Sequence, residues 1–297
     1  MDRRHLTNFI TVADAGSLSE AARRLHLSQP SVSQTIKDLE RDLGTVLFVR
    51  GRRMTLTPAG RALVGPARQT LRAFDNARAA VEAVESLDSG RLDIAVVSGY
   101  AVDPLSRLLE QFHTRHPRVT LRVIGAAFGT EGFETLRRGE AELLLSDHPG
   151  PYPRHSAISV PTARLMAVFA PGVGDVGAGP RISLAELLRH PLINGLSAES
   201  AALGRFVAYL AREGLPLPTS VLETDHRDLI QHLLLAGFGA ALLPEPEADA
   251  ARELGAEVRE LDLPELRKAF LYYREDPLSP AARAFVELVP SSGASGR

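Results

Sequence analysis

The chain has 297 residues, 44% hydrophobic and 24% charged, an ordinary globular composition that is long enough for two or three compact units. It has no cysteine, no run of about 18 apolar residues and no signal-peptide stretch at its amino terminus, so we expect a cytoplasmic protein without disulfides, thiol chemistry or a membrane span. Residues 1–61 hold 10 Lys and Arg against 6 Asp and Glu, whereas the rest hold 24 against 30, so the amino-terminal part is the one expected to approach a polyanion.

Three short helices are predicted in the first 45 residues from the spacing of apolar side chains. The first helix ends at Gly16, and Ser17 with Glu20 predicts a capping box at the start of the second. The third begins at Ser28 and tolerates Pro30 because the first turn needs no amide donor there. One stripe of the third helix is apolar and comprises Val32, Ile36, Leu39 and Leu43.

The other faces of the third helix are polar near its amino-terminal end, where Ser31, Ser33, Gln34 and Lys37 project. Hydroxyl groups can reach phosphates, and a glutamine amide can pair with adenine, so this end suits the major groove of DNA. The alternative is the solvated face of an ordinary three-helix bundle.

A basic hairpin is predicted at residues 48–57, where two short strands flank a Gly-Arg turn. Its arginines, Arg50, Arg52 and Arg53, would repel one another unless an anion lay nearby. A wing along the phosphates or in a minor groove supplies that anion. A solvated charge run is the usual explanation of a lone basic cluster, but directly after a helix-turn-helix the wing is favoured.

A long helix is predicted from Thr57-Pro58 to about Leu87. At 1.5 Å per residue it would form a rod of roughly 45 Å, too long to belong to a sixty-residue domain. Its apolar positions follow a heptad seam, Leu63, Ala67, Thr70, Phe74, Ala77, Val81 and Val84. This pattern favours a helix that pairs between subunits, and the alternative is a helix packed on its own domain.

From Arg91 onwards strands alternate with helices, which predicts a parallel sheet with helices on both faces. A second such unit begins near Thr162, and the composition of residues 291–297 predicts a disordered tail. Two such lobes leave a cleft at the carboxyl ends of their strands. Residues expected just past those ends are Ser98, Gly99, Tyr100, Asp103, Gly129, Thr130, Glu131, Ser146, Asp147, His148, Asn194, Thr224, Asp225 and His226. Helix amino termini there would favour an anion, whereas the acidic residues would favour an amine, so the effector class stays open.

The first sixty residues carry three connected motifs, Phe9-x-x-Val12-Ala13-x-x-Gly16-Ser17, Ala21-Ala22-x-x-Leu25-x-Leu27-Ser28-Gln29-Pro30-Ser31-Val32-Ser33 and Ile36-x-x-Leu39-Glu40-x-x-Leu43-Gly44-x-x-Leu47-Phe48-x-Arg50. With Leu56-Thr57-Pro58-Ala59-Gly60 they resemble the amino-terminal signature of LysR-type transcriptional regulators. The resemblance implies DNA contacts from Gln29, Pro30, Ser33, Gln34, Arg50 and Arg53, to which the face argument adds Ser31, Lys37 and Arg52. It also implies a linker helix that pairs antiparallel in a homodimer or homotetramer, a double-stranded operator and, in an activator, contact with RNA polymerase.

The second half is similar to the same family in His116-Pro117-x-Val119-x-Leu121, Leu136-x-x-Gly139 and Ala236-Gly237-Phe238-Gly239-Ala240-Ala241-Leu242-Leu243-Pro244. This likeness implies a two-lobed domain resembling periplasmic binding proteins, with a small-molecule effector between the lobes. By position, the effector contacts are Ser98, Tyr100, Gly129, Thr130 and Thr224, and the strand ends add Ser146 and Asn194. Glu142 departs from the family pattern, which commonly has Asp there.

The sequence therefore predicts an α/β protein with an all-α winged helix-turn-helix at residues 1–57, a linker helix at 58–88 and an effector-binding domain at 89–290. The first lobe of that domain would span about 91–161 plus 267–290, the second about 162–266, with a disordered tail at 291–297. We expect a DNA-binding transcription regulator switched by a small molecule bound in the cleft, without cofactor or metal and without membrane contact.

Three other functions are weighed against this one. An enzyme would use Ser98, Asp147 and His148, but the nucleophile lacks the Gly-x-Ser-x-Gly turn that would present it. A metal site at His113 and His116 lacks a third ligand at a plausible spacing. A solute-binding protein shares the two-lobed architecture, but the DNA-binding motif and the missing signal peptide argue against it.

Overall fold

The computed structural model describes residues 1–49, 51, 53–82, 90–150, 152–173, 176, 179–195, 199–224, 226–275 and 278–290. The amino-terminal head comprises α1 (Arg3–Ala15), α2 (Leu18–Leu25), α3 (Gln29–Leu43), β1 (Phe48–Val49) and β2 (Thr55–Leu56), followed by α4 (Pro58–Glu82). The disordered tail predicted at 291–297 lies outside the described residues.

The head begins and ends its helices at the residues that the sequence indicates. Gly16 adopts the left-handed conformation that closes α1, and Ser17 and Ser28 cap α2 and α3 with their hydroxyl groups. The predicted capping box of α2 is only half formed, because the Glu20 carboxylate binds the Arg23 and Arg24 guanidiniums instead of the Ser17 amide. These hydrogen bonds, that from Arg23 first, hold the pKa of Glu20 at about 2.

The apolar stripe of α3 forms the centre of the head core, with one exception. Val32, Ile36 and Leu39 are fully buried against α1, α2 and the hairpin, whereas Leu43 is 39% exposed. Leu43 is the last helical residue, and Gly44 turns the chain away directly after it, so the stripe leaves the core there.

Backbone amides at the two ends of the hairpin bind the rest of the head. The Glu40 carboxylate accepts hydrogen bonds from the amides of Leu47 (2.8 Å) and Phe48 (3.3 Å), and the Met54 amide donates to the Gly16 carbonyl. Gly60 at the start of α4 has no room for a side chain, since a Cβ there would lie 2.2 Å from the Leu47 carbonyl oxygen. The wing is thus fixed relative to α3 by contacts made outside its tip.

The first part of α4 packs on its own head. Ala67 is fully buried in the head core and Leu63 is packed against it, although both belong to the predicted heptad seam. Further along the seam Thr70 is exposed and Phe74 is 52% exposed. The helix is therefore packed on its own domain at its start and presents the seam to solvent farther on.

The sensing part follows in chain order with these elements: β3 (Gly90–Val97), α5 (Arg107–Arg115), β4 (Val119–Ala126), α6 (Phe133–Arg137), β5 (Leu143–Ser146), β6 (His155–Val160), β7 (Leu165–Phe169), β8 (Arg181–Ile182), α7 (Leu184–Leu187), β9 (Leu192–Asn194), α8 (Ala201–Arg212), β10 (Ser220–Glu223), α9 (Arg227–Leu235), β11 (Ala241–Pro244), α10 (Glu245–Glu253), β12 (Glu257–Leu261), β13 (Ala269–Arg274) and α11 (Pro280–Leu288). Short helical turns connect β3 to α5 and β4 to α6.

The first lobe is built on a sheet of order β4-β3-β5-β13-β6. β3, β4 and β5 are parallel as predicted, but β13 runs antiparallel to both β5 and β6, so the sheet is mixed. The side chains of β5 are all buried, and β13 brings the chain back from the second lobe. The prediction of an all-parallel sheet is wrong because this return strand enters from the opposite direction.

The second lobe has a sheet of order β11-β7-β12-β8 and a parallel pair, β9 with β10. β7 is antiparallel to both of its neighbours, and the pairing of β12 with β8 is parallel. The predicted parallel sheet is therefore wrong for the second lobe as well, because β7 runs antiparallel to β11 and β12.

The chain crosses between the lobes after β6 and before β13, and one buried carboxylate contacts both crossings. Asp103 of the first lobe accepts hydrogen bonds from the Ala163 amide (2.7 Å) and from Arg267 Nη1 (2.8 Å). Thr162 donates to the Arg267 carbonyl at 3.1 Å, which joins the two crossings directly. Asp103 and Arg267 are 3% and 6% exposed, so this ion pair is shielded from water.

Helix α4 also rests on the first lobe. The Gln69 amide donates to the Arg137 carbonyl at 3.0 Å, and the Arg72 guanidinium donates to the Gly139 carbonyl at 2.7 Å. Arg68 pairs with Glu140 at 3.0 Å and also with Asp14 of α1 at 2.6 Å. We call this contact between α4 and the 137–142 segment the junction.

Candidate DNA-binding and effector sites

The amino-terminal end of α3 presents a polar surface. Pro30, Ser31, Gln34 and Lys37 are exposed and Ser33 is half-buried, so these predicted contacts share one accessible end of the helix. In the free protein the Gln34 amide donates to Asp38 at 2.9 Å, and Asp38 also accepts from Arg41. Asp38 thereby holds the Gln34 amide along the helix surface, and the i, i+4 spacing of the two residues is the sequence signal for this contact.

Gln29 is the first residue of α3 and contacts α2. The Gln29 side-chain oxygen accepts from Ser19 of α2 at 2.8 Å, which connects the two helices of the helix-turn-helix. Arg53 is exposed on the hairpin. Arg50 and Arg52 lie outside the described residues.

Between the lobes lies a cavity of about 30 Å³, which we call the cleft cavity. That volume accommodates one or two water molecules. Its wall is part apolar and part basic and consists of Gly99, Tyr100, Phe128, Leu165, Gly195, Ser200, Ala202, Arg227, Leu242, Pro244 and Arg267. Tyr100 is the predicted effector residue in this set. The sequence gives little indication of the other wall residues. Phe128, Leu165, Leu242 and Arg267 lie in different parts of the chain and share no motif.

None of the other predicted effector residues belongs to the wall of this cavity; they lie at strand ends and in turns. Ser98 and Thr130 are exposed, and Gly129 directly follows Phe128 of the cavity wall. Asn194 and Thr224 are half-buried and bonded through their backbones at 3.0 Å. Ser146 is fully buried, and its hydroxyl oxygen accepts from the His148 amide.

The two arginines of the cavity wall already have acidic partners. Arg267 binds Asp103 and donates as well to the Gly99 carbonyl at 2.8 Å. Arg227 lies 3.1 Å from Glu247. The Arg267 guanidinium also lies over the Tyr100 ring at 4.9 Å, a cation–π contact. The guanidinium charges at this end of the cleft are therefore balanced within the protein.

Tyr100 is 2% exposed, and its hydroxyl makes no hydrogen bond of normal geometry among the described residues, although the Lys268 amide lies near enough to act on it. Burial, together with the nearby Asp147 carboxylate, raises the pKa of this phenol to about 12, against the lowering influence of Arg267, Arg205 and the Lys268 amide. The phenol is therefore neutral at physiological pH.

Asp147 directly follows β5 of the first lobe and contacts the second lobe. It is fully buried, and its Oδ2 accepts from the Ser200 hydroxyl at 2.7 Å and from the Ala202 amide at 3.1 Å. His148 Nδ1 lies 2.9 Å from the Tyr152 hydroxyl. Neither Asp147 nor His148 is thus bonded to Ser98, as a catalytic triad would require.

The predicted absence of a metal site and of a membrane span can be compared with the described residues. Within the part of the chain that the structure describes, no group of three or more His, Asp or Glu side chains could hold a metal ion. His116, one half of the His pair, packs its ring on Phe112 instead. None of the described helices is both long and apolar enough to cross a membrane.

Two family models match the chain. Residues 3–61 match the family described as "Bacterial regulatory helix-turn-helix protein, lysR family", and residues 85–293 match "LysR substrate binding domain". The HTH-type transcriptional regulator TdfR of Cupriavidus pinatubonensis is 30% identical over 97% of each chain. The Hca operon transcriptional activator HcaR of Escherichia coli is 30% identical over 82% of each chain.

Solved structures agree over the full length. The regulator CbnR in complex with its target DNA has a TM-score of 0.71 at 25% identity and covers 97% of this chain and 99% of its own. Full-length OxyR from Pseudomonas aeruginosa has a TM-score of 0.73 at 24% identity, covers 98% of this chain and 94% of its own, and supports the fold alone. These matches span both the head and the two-lobed part, and the chain belongs to the LysR family of transcriptional regulators.

Proposed function

We propose that this regulator binds its operator through the amino-terminal end of α3 and through the wing, and senses a small molecule in the cleft between its lobes. The observation that supports this best is the exposed polar end of α3, where Gln34 and Lys37 are accessible, together with the exposed Arg53 on the hairpin. A helix end of this kind fits a major groove, and a guanidinium on a hairpin fits the phosphates beside it. The proposed DNA contacts are Gln29, Pro30, Ser31, Ser33, Gln34, Lys37, Arg50, Arg52 and Arg53.

We propose the same division of labour along the chain that the sequence indicates, with DNA binding at 1–57, subunit pairing at 58–88 and sensing at 89–290. The exposed Phe74 on α4 supports pairing between subunits, because a large apolar side chain in a heptad position is usually covered. The pairing would give a homodimer or homotetramer that acts on DNA in the bacterial cytoplasm. The cleft would bind its ligand without chemical change, since Asp147 and His148 are engaged elsewhere.

Operator binding by two single variants tests the DNA-binding assignment. Gln34→Ala should change sequence preference at one base position by about 1–3 kcal/mol, because an amide reads a base edge. Arg53→Ala should weaken binding to all sequences and lower the slope of log affinity against log salt by about 1, because one phosphate contact is lost. Fluorescence anisotropy with the DNA upstream of the protein's own gene, at several salt concentrations, measures both effects.

Matched variants far from the head control for composition and charge. Gln111→Ala and Arg212→Ala remove the same side chains from exposed positions on α5 and α8, and should leave affinity and salt slope unchanged. Full affinity and specificity in both Gln34→Ala and Arg53→Ala would reject the proposed contacts, and a wild-type protein without salt-sensitive affinity for any duplex would reject DNA binding through this head.

A further inference from the structure

Helix α3 carries three carboxylates, although its amino-terminal end is proposed to face DNA. Phosphates repel carboxylates, so an acidic residue on this helix lowers the affinity for every duplex unless it has a structural role. Glu40 has such a role, because it accepts from two hairpin amides, and Asp42 pairs with the amino-terminal ammonium group. Asp38 lies one helical turn from Gln34 and has different partners.

Asp38 binds two side chains of its own helix through one oxygen atom. Its Oδ1 accepts from Gln34 Nε2 at 2.9 Å and from Arg41 Nη1 at 2.9 Å. Asp38 is half-buried, whereas Gln34 and Arg41 are exposed. Side chains three and four residues apart on a helix are neighbours, so Arg41 reaches the carboxylate from one side and Gln34 from the other. Arg41 therefore holds the carboxylate and offsets its charge, and Gln34 is anchored to a group that is itself held.

This contact decides which way the Gln34 amide faces. An ionised carboxylate only accepts hydrogen bonds, so the amide atom next to Asp38 has to be the nitrogen. A primary amide has two N–H groups and one oxygen, and Asp38 takes one of the N–H groups. The carbonyl oxygen and the second N–H are left for DNA. Without an anchor the amide could rotate by half a turn and exchange these two groups.

The groups left on Gln34 match one base better than the other three. In the major groove adenine presents an amino donor at N6 beside an acceptor at N7, which pairs with an amide oxygen and an N–H. Guanine presents two acceptors there, cytosine one donor and thymine one acceptor. An amide held by Asp38 can therefore form two hydrogen bonds with adenine and only one with each of the other bases.

We propose that Asp38 is a positioning residue that holds the Gln34 amide in the orientation that reads adenine, and that it thereby sets the sequence preference of the head at one base pair. This inference rests on the proposed function, in which Gln34 reads a base edge. Asp38 acts through Gln34 and does not itself touch the base. A flexible side chain loses freedom when it binds, and the contact with Asp38 removes part of that freedom before DNA arrives.

Binding of the full-length protein to a set of duplexes tests the assignment. The set is based on the DNA upstream of the protein's own gene and places each of the four base pairs at each position in turn, and Gln34→Ala identifies the position that Gln34 reads. At that position Asp38→Ala should lower the preference for adenine about two- to tenfold, the factor by which ordering one flexible side chain weakens binding. Affinity for duplexes with another base there should not fall, because a carboxylate that repels phosphates is gone.

Three matched variants separate positioning from charge. Asp38→Asn keeps an oxygen that can accept from Gln34 and Arg41, so it should lower the adenine preference by less than twofold. Asp42→Ala removes an exposed carboxylate from the last turn of the same helix and should leave the preference unchanged. In a Gln34→Ala background, Asp38→Ala should no longer alter the preference, since the two effects are coupled only if Asp38 acts through Gln34.

The contrary outcomes are equally definite. An unchanged or greater adenine preference in Asp38→Ala, an equal loss in Asp38→Ala and Asp38→Asn, or a wild-type preference for another base at the Gln34 position would overturn the inference. If Gln34→Ala alters no base position, the proposed base contact fails together with it. If Gln34→Ala alters one position and Asp38→Ala does not, the base contact stands and only the role of Asp38 is rejected.

Discussion

The Tyr100 hydroxyl is a buried polar group whose removal should cost little. Since it makes no hydrogen bond of normal geometry among the described residues, Tyr100→Phe should change the free energy of unfolding by less than about 1 kcal/mol at neutral pH. A loss of about 1–3 kcal/mol, the cost of leaving a buried partner without its hydrogen bond, would show that the hydroxyl is bonded in solution.

The raised pKa of Tyr100 predicts a dependence on alkaline pH. The phenol ionises near pH 10 in an unfolded chain and at about 12 in the folded one, so its stabilisation is complete below pH 10 and is lost as the pH rises towards 12. The loss amounts to at most about 3 kcal/mol. Urea unfolding at pH 9 and pH 11 should show a smaller decrease for Tyr100→Phe than for wild type. Tyr209→Phe, on α8, serves as the control that removes one phenol elsewhere.

Single side chains could be predicted where a local pattern decides their environment. Val32, Ile36 and Leu39 are buried as their spacing indicates, and the caps Ser17 and Ser28 follow from local signals. The cavity wall could not be predicted in this way. Phe128, Leu242 and Arg267 meet only because two crossings bring separate lobes together, and no short stretch of sequence records that geometry.

At the scale of elements, the attachment of the wing to α3 depends on one carboxylate. Glu40 accepts from two hairpin amides, so Glu40→Ala leaves both without their partner and should cost about 1–3 kcal/mol of stability. The wing would also lose its fixed position, so operator affinity should fall. Urea unfolding and anisotropy measure the two effects.

Glu40→Gln is the matched variant, because its amide retains a carbonyl oxygen that can accept from the same donors. It should lose less than half as much stability as Glu40→Ala. If Glu40→Ala kept wild-type stability and affinity, the hairpin would have to be held by its other contacts, such as that of Met54 with Gly16.

Helices were easier to predict than strands for a physical reason. The start of α8 at Ala201 and its end at Arg212 follow from the local sequence. β12 was not predicted, because it is half-buried throughout and pairs with β7 and β8, which lie far earlier in the chain. The antiparallel return of β13 likewise depends on a distant partner, and a local pattern cannot fix strand direction.

At the scale of the whole molecule, the junction requires a glycine. A Cβ on Gly65 would lie 2.9 Å from the Arg137 carbonyl oxygen, so α4 and the first lobe could no longer approach as closely. Gly65→Ala should therefore give up the stabilisation of about 1 kcal/mol that alanine normally brings to a helix interior, and should speed hydrogen exchange in residues 134–142.

Gly204→Ala provides the matched control. Gly204 lies within α8, and a methyl group there would meet no neighbouring element within 4 Å in the described part of the chain. Alanine at this position should therefore stabilise the protein and leave exchange at residues 134–142 unchanged. Equal gains in thermal stability for Gly65→Ala and Gly204→Ala, with identical exchange, would show that α4 does not rest on the first lobe in solution.

β5 runs between the junction and the contact of Asp147 with α8, and it is only four residues long. Glu142, directly before it, lies 4.0 Å from Arg72 of the linker helix and accepts from the Ser279 amide and hydroxyl that begin α11, whereas Asp147, directly after it, contacts α8. The strand between them is wholly buried and hydrogen-bonded on both edges, so it holds its two ends at a fixed separation. A change at the contact between Asp147 and α8 would therefore act on one end of a strand whose other end, through Glu142, contacts the helix that carries the DNA-binding head.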